Sequence, residues 1–128
     1  MLTESVPTAE RSKYQGRQIQ FCPFKNQQAI GVLFAKYKRY VGRSLVGKEY
    51  ESVMWAVIQH SDLAMMQKFL PTLQVAVTEK EIDVVPFEML IDRIYTIKTK
   101  QQIFGSQGGY PLADEKARAA VKLEFGLE

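Results

Sequence analysis

Apolar residues recur along this chain at helical rather than strand spacing. Ile30, Leu33, Phe34 and Tyr37 fall at i, i+3, i+4 and i+7, one face of a 3.6-residue repeat. They predict a first helix over about 24–40, ended by Gly42. Residues 42–47 are bounded by glycines and predict a helix–helix turn. Tyr50, Val53, Met54, Val57 and Ile58 form a second stripe, predicting a helix over about 48–60. His60 lies seven residues after Val53, so it returns to within about 20° of that position and is expected inward or along the edge of the stripe. Trp55 lies off the stripe's centre.

Leu63, Met66, Leu70, Leu73 and Val77 alternate spacings of three and four and predict a helix over about 63–77. Pro71, which lacks a backbone donor, is expected to kink it or to begin a second one. A fourth helix, about 84–100, has Asp83 as its cap and Pro86 in its first turn. Phe87, Leu90, Ile91, Ile94 and Tyr95 form its main face. Asp92 lies beside Val85 and Met89 on a second apolar side, so the helix is expected to be buried on two sides. A glycine- and amide-rich loop follows over 101–111, then a helix over 114–125 closed by Gly126. Residues 17–21 alternate polar and apolar, which fits a short strand or an extended arm. The pattern predicts a mainly α fold: a small irregular bundle of about five helices over 24–128 behind an extended N-terminal arm, 1–23.

Composition narrows the class. The chain has 128 residues, 46% hydrophobic and 24% charged, which is globular rather than disordered. No apolar run reaches the roughly 18–20 residues of a membrane span, so no membrane association is expected. The first residues lack a signal-peptide pattern, which predicts a cytoplasmic protein. Cys22 is the single cysteine and excludes an internal disulfide. It fits a packed small residue, or a nucleophile that would need His60 as its base.

Charge is unevenly placed. Residues 1–48 carry nine Lys/Arg against two acids, a net +7, and residues 49–128 carry eight against twelve, a net −4. This polarity fits either a basic patch for phosphates or two halves that attract each other. Lys36, Lys38, Arg39 and Arg43 are interleaved with Tyr37 and Tyr40. Such a run can bind nucleic acid, but Tyr37 continues the apolar stripe, so a solvated face is the favoured reading.

His60, in Gln59-His60-Ser61-Asp62, is the only side chain whose ordinary pKa lies near neutrality. No complete catalytic or metal motif surrounds it. Gln59-His60-Ser61-Asp62, Gln67, Asp92-Arg93 and Gln102-x-Phe104-Gly105-Ser106-Gln107, in that order, resemble an uncharacterised bacterial family of unknown function. Its pattern reads Gln-His-Ala-Asp, a downstream Gln, Asp-Arg and Gln-x-Tyr-Gly-Thr-Gln. Asn26, residues 44–47, Pro111-Leu112 and Asp114 also fit, and the resemblance spans roughly 24–128. Here Ser61 replaces alanine, Phe104 tyrosine and Ser106 threonine, so a site needing that phenol is put in doubt. The resemblance implies a helical fold with a shared polar cluster and supplies no reaction.

The expected site is a polar pocket where the end of helix two, helix four and the 101–109 loop meet. His60, with Asp62 or Asp92 orienting it, would serve as acid–base or polar contact. Arg93 would hold an anionic group, and Gln102, Gln107 and Gln67 would position a small-molecule ligand. Each also has a structural reading: His60 bonded to a carbonyl, Asp62 as a helix cap, Asp92-Arg93 in an ion pair, Gln102 and Gln107 fixing a loop. A metal held by His60, Asp62 and Asp92 would be poor in nitrogen and sulfur ligands. No cofactor is expected, and the glycine loop lacks the Gly-Lys-Ser/Thr ending of a P-loop. The alternative function is a protein-interaction module, accessory or toxin-neutralising, in which the polar cluster is structural. Convergence of His60, Asp92 and Gln107 on one open cavity would favour the pocket; separate and satisfied positions would favour the module.

Overall fold

The computed structural model describes residues 23–127, with side chains from residue 26 onward. The expected arm, the alternating stretch at 17–21 and Cys22 lie outside the described residues. Six α-helices follow in order: α1 Pro23–Tyr37, α2 Arg43–Val46, α3 Val53–Gln59, α4 Leu63–Thr78, α5 Val84–Thr99 and α6 Glu115–Glu124, with one 3-10 turn at Lys48–Tyr50 between α2 and α3. Among the described residues the only β pairing is a parallel bridge between Gln102 and Leu112. The fold is a small, mainly α bundle.

The core lies between α4 and α5. Met66, Phe69, Leu73 and Ala76 of α4 are buried, as are Phe87, Leu90, Ile91 and Ile94 of α5. Each large side chain contributes about 1.5–3 kcal/mol by leaving water. Met54 and Ile58 of α3 and Ile30 of α1 complete the cluster. Phe34 of α1 stacks edge-on against Phe69, ring centres 5.3 Å apart.

The largest departure from the sequence pattern lies before α3. The predicted helix over 48–60 begins only at Val53, because the preceding chain is held by side chains. Tyr40, buried at the end of α1's connection, donates its hydroxyl to the Glu51 carbonyl oxygen and accepts the Trp55 N–H at 3.1 Å. Ser52 occupies the N-cap position of α3 without a side-chain cap bond. The Tyr40 hydroxyl therefore satisfies one of the first-turn donors that a helix leaves open. Arg43 meets the buried Glu51 carboxylate with two bonds, Nε to Oε1 at 3.1 Å and Nη2 to Oε2 at 3.0 Å, and reaches Asp83 Oδ1 at 3.3 Å. Glu81 Oε2 accepts from the Ser44 backbone and hydroxyl, both at 3.0 Å. A Cβ on Gly42 would lie 2.5 Å from the Glu81 carbonyl oxygen, so only glycine lets the two segments approach this closely. The basic first half thus meets acids of the second.

Two smaller departures have simple causes. Pro71 does not divide α4, which runs unbroken through it. Pro71 is exposed while Phe69 and Leu73 beside it are buried, so core packing holds the helix across one missing bond. Asp83 precedes α5 as expected but makes no cap bond, its carboxylate being turned to Arg43.

Candidate functional site

Asp92 is completely buried in the middle of α5, although Val85 on the same expected side is exposed. Its carboxylate receives four hydrogen bonds from the loop after α5. Oδ1 accepts the N–H groups of Ile103 at 2.7 Å and Phe104 at 2.8 Å. Oδ2 accepts the Ser106 N–H at 2.9 Å and its hydroxyl at 2.6 Å. A carboxylate accepting several backbone N–H groups is strongly held. Gln102, also buried, closes the loop's other side. Its Nε2 donates to the carbonyls of Gln107 and Tyr110, both at 2.7 Å, and its Oε1 accepts the Gln107 N–H at 2.7 Å. Its backbone bonds on to Pro111 and Ala113. The Gln107 amide reaches only the Ser106 hydroxyl, at 3.5 Å. Gly105 has a φ of 86°, which suits glycine at the loop's tightest point. Arg118 of α6 donates its Nε to the Ile103 carbonyl at 3.0 Å, and Lys122 lies 5.8 Å from the centre of the Phe104 ring, so α6 covers this latch.

His60 lies elsewhere and is exposed, which overturns the inward alternative of its expected placement, inward or along the stripe's edge. The heptad arithmetic holds, but Val53, its reference, is itself 54% exposed. His60 caps the C-terminus of α3, and its Nδ1 lies 2.8 Å from the Ala56 carbonyl oxygen of the same turn. In the neutral ring that bond requires the proton on Nδ1. Asp62 does not orient it: its Oδ1 accepts the Met65 N–H at 2.8 Å and caps α4. Gln67 lies on the exposed face of α4. Asp92, engaged with the loop, is not a partner of His60 either. Among the described residues no three metal-ligating side chains gather.

Gln59, which the sequence reading placed only within a motif, takes the inward position. It is 5% exposed, and its Nε2 donates to the Met89 carbonyl at 3.1 Å. In a continuous α-helix that carbonyl also receives the N–H of Arg93, so the Gln59 amide lies against the turn that carries Arg93. Three buried polar atoms here have no hydrogen-bond partner: Trp55 Nε1, Gln59 Oε1 and Arg93 Nε. Trp55 and Gln59 are four residues apart on one face of α3. Arg93 is partly buried, and the ion pairs among the described residues do not include it. A buried guanidinium N–H without an acceptor is unfavourable.

The profile of a protein family of unknown function, DUF6624, matches residues 13–116. The chain belongs to that family. The match contains the Asp92 latch, the end of α3 and the Tyr40–Glu51 clasp, so all three lie within the DUF6624 region. No curated protein and no solved structure matches the chain. The residues the sequence singled out thus fall into two groups on this DUF6624 domain: a satisfied latch of Asp92, Gln102, Ser106 and Gln107, and a less satisfied neighbourhood of Gln59, Trp55 and Arg93 near His60. Glu51 and Glu81, not singled out in the sequence, build the clasp with Tyr40, which the sequence marked only as an aromatic within the basic run.

Proposed function

We propose that this domain is a binding module that takes a small oxyanion, of carboxylate or phosphate type, at Arg93. The observation that carries this reading is the partly buried Arg93 guanidinium, whose buried Nε has no acceptor. Trp55 Nε1–H is a second donor in want of an acceptor, and Gln59 Oε1 can receive a protonated oxygen or an amide of the ligand. An acceptor brought from outside would meet donors already fixed by the α3–α5 contact, so little ordering would oppose binding. His60, one residue beyond Gln59 and exposed, would contribute a polar contact at the rim. Asp62 and Gln102 contribute only by holding backbone, at the start of α4 and in the loop after α5. Within this reading Asp92 fixes the loop beside the site and does no chemistry.

The test is thermal unfolding with inorganic phosphate and with succinate, for the unaltered protein, Arg93→Met and His60→Ala. Stabilisation of the unaltered protein that grows with anion concentration, and is lost in a folded Arg93→Met, supports the reading. His60→Ala should retain most of it. An equal response in Arg93→Met overturns the reading, as does none from the unaltered protein.

The second reading is a protein-interaction module with a wholly structural polar cluster. The observation that favours it is the saturation of the Asp92 carboxylate by its own loop. Nucleic acid is disfavoured in both readings, since Arg43 of the basic run is paired with Glu51 and Asp83. No helix among the described residues is long and apolar enough to cross a membrane. With a single cysteine and the resemblance to a bacterial family, a bacterial cytoplasmic setting accords with either reading.

A further inference from the structure

A cavity of about 320 Å³ opens between the C-terminal ends of α1 and α4, remote in sequence from Arg93 and from the latch. That volume is at the lower end for small-molecule sites, ~300–1,000 Å³. Its apolar wall includes Phe34, Pro71 and Val75. Phe34 is fixed by its edge contact with Phe69, and Val75 is 54% exposed, an apolar side chain with room for a partner. Tyr40 lines the cavity too, but its hydroxyl is engaged with Glu51 and Trp55.

The charged rim has two signs. Lys38 and Arg39 come from the α1 side, Glu79 and Glu81 from the α4 side. Arg39 and Glu81 are both tied to Ser44. Lys38 and Glu79 make no ion pair among the described residues, so one cation and one anion on the two sides are uncommitted. Lys38 is held in left-handed backbone, with a φ of 56°.

We propose that this cavity binds an apolar α-amino acid as its zwitterion. The ligand's carboxylate faces Lys38, its ammonium faces Glu79, and its side chain lies on Phe34 and Val75. Neither an anion nor a cation alone matches a rim carrying both signs, and a purely apolar ligand leaves both charges unanswered. The proposal is independent of the Arg93 reading, because the two sites share no residue.

The experiment is a titration of the isotopically labelled full chain with L-phenylalanine, followed by amide chemical shifts. N-acetyl-L-phenylalanine and L-phenylalaninamide, each lacking one charge, are run beside it. The expected result is saturable shifts confined to the amides around 34–40 and 72–81, with either capped compound binding about tenfold more weakly. Lys38→Gln and Glu79→Gln, both at exposed positions, should each weaken L-phenylalanine similarly while the rest of the spectrum is retained. No saturable shift in those segments overturns the proposal. Equal binding of the capped compounds overturns it as well, since the cavity would then be reading apolar surface alone.

Discussion

Asp92 and Arg93 are neighbours on one helix, and their surroundings are opposite. Asp92 is fully buried and each carboxylate oxygen receives two hydrogen bonds. Arg93 is partly buried and its Nε has no partner. About 100° of helix rotation separates the two side chains, which is enough to keep Arg93 out of the latch loop that holds Asp92. The contrast shows what a charge inside a small bundle can be for. A charge that organises a loop is satisfied by that loop. One left with open donors is either poorly placed or awaiting an acceptor from outside. The same contrast recurs between the Tyr40–Glu51 clasp, which is closed, and the Trp55–Gln59 face of α3, which is open.

The largest effect should come from Asp92→Ala. It leaves three loop N–H groups and the Ser106 hydroxyl without their acceptor, and a cavity beneath them. An unsatisfied buried donor costs about 1–3 kcal/mol, and the losses here overlap because the loop can move as one piece. We expect a loss of about 3–5 kcal/mol in urea unfolding, a large share of the ~5–15 kcal/mol that holds a domain together. Asp92→Asn should lose less but not recover fully, because its Nδ2 would face N–H donors. A loss below about 1 kcal/mol for the alanine variant would mean that the latch is not what orders the loop.

This helix also shows how far the sequence could be read. Periodicity found α5, and of the second side it marked, Asp92 is buried while Val85 is 56% exposed. The four loop donors are backbone groups and a serine, which carry no periodic signal, so the latch was legible only as a glycine- and amide-rich stretch. His60 was misplaced because the stripe was referred to Val53, a residue on the outside of α3. The start of α3 was misjudged for a tertiary reason: Tyr40 supplies the hydroxyl that satisfies the Trp55 N–H, and Arg43 binds Glu51 across eight positions. Bonds between segments leave no trace in a helical repeat. Asp62 shows the reverse, a motif aspartate whose position before an apolar run already suggested the cap it proves to be.

The closed clasp is next in size. Burial first, with the nearby Glu51 charge adding to it and the Trp55 N–H bond opposing it, raises the Tyr40 phenol well above its ordinary value. A raised folded value means that the native state holds this proton after the unfolded chain has released it. The contribution is therefore complete below about pH 10, the ordinary phenol range, and is lost as pH rises beyond it. Tyr40→Phe should cost about 1–2 kcal/mol at neutral pH by leaving the Trp55 N–H without its acceptor. It should also flatten the alkaline fall in stability, measured as urea midpoints between pH 8 and 11. If the variant destabilises but the alkaline slope is unchanged, another group controls that slope.

The smallest effect is expected at Arg93, and its smallness is the point. Where a partly buried cation keeps a buried donor without an acceptor, removing it relieves that cost as well as losing packing, so an apolar replacement of similar length should be close to neutral. Arg93→Met keeps a long side chain on the turn that Gln59 bonds and removes the orphaned donor. Its urea midpoint should lie within about 1 kcal/mol of the unaltered protein in anion-free buffer. Adding phosphate should then separate the two proteins, because only the unaltered one retains the cation. If Arg93→Met instead costs as much as Asp92→Ala without added anion, Arg93 is already satisfied within the fold. The contrast between the two neighbours would then disappear, and the oxyanion site with it.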